Sequence, residues 1–193
     1  MKVVAINGSA RKDGNTAILL RTVLKELENE GIQTEMIQLA GQDVHGCRAC
    51  YQCRELANMK CVIDTDPVNE IISAMEQAHG ILIGSPTYFT DVPAGLKALI
   101  DRAGFVARGN GHFLRRKVSA AVVAVRRAGS LHVFDTINHF FTISQMIVTG
   151  STYWNLGIGG KIGEVESDRE GLENMKNLGE NMAWLLKKLY SEG

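Results

Sequence analysis

Residues 1–16 read MKVVAINGSARKDGNT, and this stretch decides the fold. Lys2 to Ile6 is a compact, Val-rich run of the kind that forms a strand buried on both faces. Asn7 to Thr16 follows as a polar turn containing Gly8, Ser9, Arg11, Gly14 and Asn15. From Thr16 to Glu28 the apolar residues Ile18, Leu20, Val23, Leu24 and Leu27 share one broad helical face, with charges opposite. A strand, a glycine turn and a helix in that order open a parallel α/β sheet.

Outward from this unit the alternation repeats. Thr34–Leu39 reads as a second strand and Pro67–Gln77 as a helix with Pro67 in its first turn. Gly80–Gly84 is a third strand. Pro93–Ala103 is a helix striped by Leu96, Leu99, Ile100 and Ala103. Val118–Val125, VSAAVVAV, is the most β-rich run and predicts the central strand. Leu131–Gln145 is a helix, Met146–Tyr153 a fifth strand, and Leu172–Leu189 a closing amphipathic helix. There is no repeat, low-complexity tract or linker, and 193 residues suit one domain spanning 1–193. The pattern predicts a three-layer α/β/α sandwich around a five-stranded parallel sheet in the order 2-1-3-4-5. Ligands of such sheets sit beyond the carboxyl ends of the strands.

Lys plus Arg and Asp plus Glu both number 21, a balance that argues against a nucleic-acid or anionic-membrane partner. The first apolar run is too short for a signal peptide, and no stretch is long enough to span a bilayer. A cytoplasmic protein is expected, with its four cysteines reduced or metal-bound rather than paired as disulfides.

Three loops at the carboxyl edge carry unusual chemistry. In the first, Ser9, Arg11, Asn15 and Thr16 surround a helix N-terminus, a ready site for a terminal phosphate. An ordinary turn capped by Asn15 or Thr16 has the same composition. It is neither a Walker A loop nor a G-x-G-x-x-G fingerprint. The second loop opens SPTYF, Ser85 to Phe89. Pro86 and Pro93 stiffen it, Tyr88 and Phe89 offer aromatic surface, and the N–H groups of Thr87 to Phe89 can donate to a heterocycle; core packing explains the same aromatics. The third is Arg126-Arg127-Ala128-Gly129, where an arginine beside a reduced ring would stabilise negative charge; arginines turned to solvent or to a partner subunit fit the same residues.

The motifs Gly8-Ser9-x-Arg11-x-x-x-Asn15-Thr16 and Pro86-x-Tyr88-x-x-x-x-Pro93-x-x-Leu96-Lys97-x-x-Ile100-Asp101-Arg102 resemble the flavodoxin-like NADPH-dependent FMN reductase family. The resemblance implies FMN phosphate on Ser9, Arg11, Asn15 and Thr16. It implies an isoalloxazine on Pro86, Thr87, Tyr88 and Phe89, with Arg126, Arg127 and Gly129 beside it. Members often have Pro where this chain has Ala10, and a Gly-rich loop where it has Arg126 and Arg127. The implied activity is an FMN-dependent oxidoreductase, with NAD(P)H as an electron donor, acting as a homo-oligomer (dimer or tetramer) whose flavin sites are completed at subunit interfaces.

All four cysteines fall in a Cys-rich insertion at 46–62: Cys47-x-x-Cys50-x-x-Cys53, then seven residues, then Cys61. Thiolates so spaced can hold a [4Fe-4S] cluster. The spacing also admits zinc, free thiols or a regulatory disulfide. Val62 stands where bacterial ferredoxins carry Pro. Inside this chain the run resembles the iron–sulfur flavoprotein branch of the same superfamily. That implies a cluster relaying electrons between a ferredoxin-like donor and the FMN of a neighbouring subunit. Two alternatives stand beside it: a pure electron carrier, and an FMN-binding redox-sensing module with free thiols. The five histidines show no metal spacing, and Ser9 lacks an adjacent His or Asp for hydrolase chemistry.

Overall fold

The computed structural model describes residues 1–190. Its elements are β1 (Lys2–Asn7), α1 (Asn15–Asn29), β2 (Gln33–Gln38), α2 (Gln52–Glu55), α3 (Val68–Gln77), β3 (Gly80–Pro86), α4 (Ala94–Gly109), β4 (Val118–Val125), α5 (Ser130–Ile143), β5 (Ile147–Val148), β6 (Leu156–Ile158) and α6 (Arg169–Tyr190). A 3-10 turn at Glu164–Ser167 precedes α6. Every ladder is parallel, and the order is β2-β1-β3-β4-β5, with β6 also on β4. This is the expected flavodoxin-like order.

β4 is buried along its whole length, which is why its sequence is apolar without alternation. One face of the sheet packs Leu19, Leu20, Val23 and Leu27 of α1 against Met175, Leu178 and Met182 of α6. The other packs Ile71, Ile72 and Met75 of α3, Leu96 and Leu99 of α4, and Ile137 and Phe141 of α5. Among the described residues no helix is long and apolar enough to cross a membrane.

The fifth strand departs from expectation. The run 146–153 forms only β5, which pairs with Val118 and Ser119 at the start of β4. The chain then leaves the sheet and returns as β6, pairing with Val123 to Val125 at the end of β4. Asn155 bridges the gap: its Nδ2 donates to the Ala121 carbonyl at 3.0 Å and its carbonyl accepts from Val123 N. Thr152 and Gly150 are tied to Asn174 and Asn181 of α6. Those side-chain bonds hold the excursion out of the ladder, and no periodicity signals them. Tyr153 and Trp154 stand exposed on it, edge to face.

Candidate functional site

The loops after β1, β3 and β4 converge at the carboxyl edge of the sheet. The first is fixed by the strands around it. Gly8 N donates to the Gly84 carbonyl at 2.8 Å, and a Cβ on Gly8 would lie 2.6 Å from Leu96 Cδ2, so the turn needs glycine. Buried Asn7 accepts from Ser9 N through Oδ1 and donates to Gln38 at 2.7 Å; Ser9 Oγ accepts from Arg11 N. Helix α1 starts from Gly14, with no side-chain cap and no acidic residue in its first turn. The first N–H groups therefore carry the positive end of the helix without a counter-group. An ordinary capped turn is excluded by that arrangement.

Ser9, Arg11, Gly14, Asn15 and Thr16 share one cavity of about 170 Å³ with Pro86, Thr87, Tyr88, Ala124, Arg126, Gly159 and Gly160. Residues far apart in sequence thus meet in one place. Among the described residues neither Arg11 nor Arg126 is in an ion pair. Two unpaired guanidinium groups and an uncapped helix N-terminus suit a phosphate dianion. The volume is below the ~300–1,000 Å³ that encloses a whole drug-sized ligand. It suits the phosphate end of a nucleotide.

Several expected roles change. Asn15 does not aim its amide at a ligand: Nδ2 donates to the carbonyls of Gly159 and Lys161, both at 2.8 Å, pinning the loop after β6. A Cβ on Gly159 would meet Asn15 Nδ2 at 2.9 Å and Val165 N at 2.6 Å, so glycine lets the two loops close. The adjacent pair Gly159-Gly160 was a signal that the sequence offered and the motif reading passed over. Thr87 N donates to the Ala124 carbonyl and Tyr88 N to the Asp91 carbonyl, so neither is free for a ring. Phe89, with φ 45°, is fully exposed and does not line the cavity. Arg127 is also exposed and outside it. Gly129, φ 88°, starts α5 and backs onto Thr87 and Thr90. Asp91 was not foreseen. It accepts from Val92 N and the Thr136 hydroxyl and faces His132 Nε2 at 3.5 Å, holding the turn to α5. Burial pushes its carboxyl up, but these bonds outweigh it and keep Asp91 below the ordinary range.

The cysteines occupy a separate place. Cys47, Cys50, Cys53 and Cys61 all line one pocket, closed by Arg102, Phe105 and Val106 of α4. Its enclosed space is only about 20 Å³, and Cys47 and Cys50 are exposed. Ala49 N donates to Cys47 Sγ at 3.4 Å. Ala49, Tyr51, Ala57 and Met59 are non-glycine residues with positive φ. Each such residue costs about 1–3 kcal/mol, and such strain gathers at functional sites. Burial raises the Cys53 thiol, and the nearby Cys61, Cys47 and Cys50 raise it further. Among the described residues no three His, Cys, Asp or Glu side chains converge on a point that would hold a single metal ion. Arg102, 1% exposed, reaches Cys61, Asp66 and two backbone carbonyls from beneath. Leu96 touches the first loop and Phe105 the thiol pocket; nine residues of helix separate them by about 14 Å along the axis.

Residues 1–161 match the NADPH-dependent FMN reductase family. An iron-sulfur flavoprotein of Methanocaldococcus jannaschii is 41% identical over 194 residues, covering 97% of this chain and 98% of that one. An iron-sulfur flavoprotein of Methanosarcina thermophila is 32% identical over 190 residues, covering 97% and 96%. In fold, the chain is similar to a WrbA-like flavodoxin from Agrobacterium tumefaciens, with a TM-score of 0.68, 14% identity and 97% coverage of both chains.

Proposed function

From its membership of the NADPH-dependent FMN reductase family, which makes the chain an FMN-dependent oxidoreductase, we propose that it binds FMN between the loops after β1 and β3 and carries an iron–sulfur cluster on Cys47, Cys50, Cys53 and Cys61. The observation that carries the flavin site is the convergence of Ser9, Arg11, Thr16, Pro86, Tyr88 and Arg126 on one cavity beside an uncapped helix. FMN, when bound, supplies hydride and single-electron chemistry, so no side chain need act as a general acid or base.

The residues have distinct tasks. Ser9, Arg11 and the start of α1 hold the phosphate. Asn15 fastens the 159–161 loop along its side. Pro86 to Tyr88 form a floor for the ring, held by Asp91. Arg126 lines both this cavity and an open cleft with Lys161, where its charge favours electron-rich states of a neighbouring group.

The four-thiol pocket, the strained turns around it and the names of the two relatives support a cluster. Thiol pocket and flavin cavity share no lining residue within the chain. That separation supports an assembly of two or four copies in which one chain's cluster serves another chain's flavin. Electrons would come from NAD(P)H or from a ferredoxin-like protein.

Protein purified without oxygen tests this directly. Visible absorption with iron, sulfide and flavin assays should give FMN and about four irons per chain. Flavin without iron removes the cluster from the reading. Absence of flavin even after incubation with FMN removes the whole reading. Rapid bleaching by NADH or NADPH marks the nucleotide as donor; slow bleaching, with fast reduction by ferredoxin, marks a protein donor.

A further inference from the structure

Arg102 makes a demanding set of bonds for a buried cation. Nε donates to Cys61 Sγ at 3.3 Å, Nη2 to the Ile63 carbonyl at 2.7 Å, and Nη1 to the His45 carbonyl at 3.2 Å and to Asp66. Both charged side chains of the Arg102–Asp66 pair are fully buried. Burying two ions in this way is not an efficient route to stability, because apolar side chains of similar volume often serve better. Balancing Asp66 would need only a point charge. Reaching a sulfur, two carbonyls and a carboxylate together needs the planar fork of arginine.

The cysteines are also unequal. Cys47 accepts a hydrogen bond from a neutral backbone N–H at 3.4 Å, whereas Cys61 accepts one from a guanidinium. A charged donor makes the stronger bond and withdraws more charge from the sulfur. Hydrogen bonds to ligand sulfurs are among the levers that set a cluster's potential.

We propose that Arg102 is a positioning residue for the cluster: its Nε–H···S bond holds Cys61 in its ligating orientation and makes the cluster easier to reduce. The proposal rests on the reading of the four cysteines as cluster ligands. Arg102 touches no substrate and transfers no proton; it acts through Cys61.

Arg102→Lys keeps the positive charge beside Asp66 and removes the Nε donor. The expected result, in protein purified without oxygen, is full iron content with a lower cluster midpoint potential. The shift should be about tenfold in the reduced-to-oxidised ratio at fixed ambient potential, about 59 mV for one electron. The flavin potential should not move. Full iron with an unchanged cluster potential overturns the proposal, because a residue that only braces the loop would give that result. If the variant does not fold or loses its iron, the wild-type protein carrying 15N-labelled arginine decides. Pulsed EPR of the reduced cluster should then show coupling to a guanidinium nitrogen; its absence overturns the proposal. Wild-type protein without iron overturns the cluster reading itself, a result distinguishable from either of these.

Discussion

The cavity proposed for flavin and the cysteine segment are held by opposite means. The cavity is framed by regular elements: strands β1, β3 and β4 end on it, and helix α1 begins on it. Its loops lock through backbone bonds such as Gly8 to Gly84 and Thr87 to Ala124. The cysteine segment has only the single turn α2 as regular structure, and side chains tether it. Arg102 and Asp66 hold residues 45, 61 and 63; Asn69 brackets Cys61 on both sides; Asn110 holds Cys53 and Met59. A phosphate is bound by N–H groups that a sheet can fix in advance. Thiols gathered around a bulky group, as proposed here, would need a backbone that bends, and it is the side chains beneath that keep this one bent. The cavity should therefore be most sensitive to steric intrusion, and the cysteine segment to loss of a few polar partners.

The sharpest way to break this comparison is Asp66→Ala, which leaves Arg102 charged and uncompensated in the interior. About 3–5 kcal/mol of stability should be lost, measured by urea unfolding, with iron depleted while FMN still binds. Equal loss of both cofactors would show that the two regions are one unit. Next is Gly8→Ala, which forces a methyl against Leu96 and the Gly84 carbonyl. Overpacking of this kind costs about 1–3 kcal/mol. FMN affinity should fall while iron content stays full, the reverse of the first result.

These two regions were not equally legible in the sequence. The apolar run of β4, Val118 to Val125, is buried at every residue and stands where its composition put it. Ser9, Arg11 and Thr16 after β1, and Pro86 and Tyr88 after β3, were each legible as a local βα turn, and the parallel sheet brings the two turns to one cavity. The clasp from Asn15 to Gly159 joins residues 144 apart, and no local pattern encodes it. The N–H groups of Thr87 and Tyr88 were wrongly left free, since their acceptors lie on β4 and on the turn itself. The split of the fifth strand was hidden because Ile147, Val148 and Thr149 have strand composition and the bonds that end it are tertiary. Arg102 was visible as part of a motif, but its reach to Cys61, 41 residues earlier, was not.

Arg11→Gln is a gentler test, because the side chain is exposed. FMN affinity should fall about tenfold, the low end for a charge-assisted contact. Riboflavin, which lacks the phosphate, should bind the variant and the wild type alike; an equal loss for both ligands would move Arg11 off the phosphate.

Acid provides the mildest probe. Burial raises the Asp66 carboxyl, but Arg102 and the N–H groups of His45 and Val68 outweigh it and hold it below its ordinary value. A depressed folded value means that Asp66 contributes fully above the unfolded value of about 3.9. The contribution is lost as pH falls through the folded value. Below about pH 4, amide exchange should therefore rise first in residues 45–66, before the loop at 7–16. Simultaneous opening of the two would blur the distinction between them.

The interrupted outer edge of the sheet has a consequence for the protein in a crowded solution. A continuous strand beside β4 would present a row of open N–H and carbonyl groups, a template on which a foreign strand could add and start aggregation. Here that row is broken by the excursion at 149–155, and across the gap the Asn155 side chain, not a strand backbone, pairs with β4. The rim exposes Tyr153 and Trp154, and it offers an added strand only the two short runs of β5 and β6.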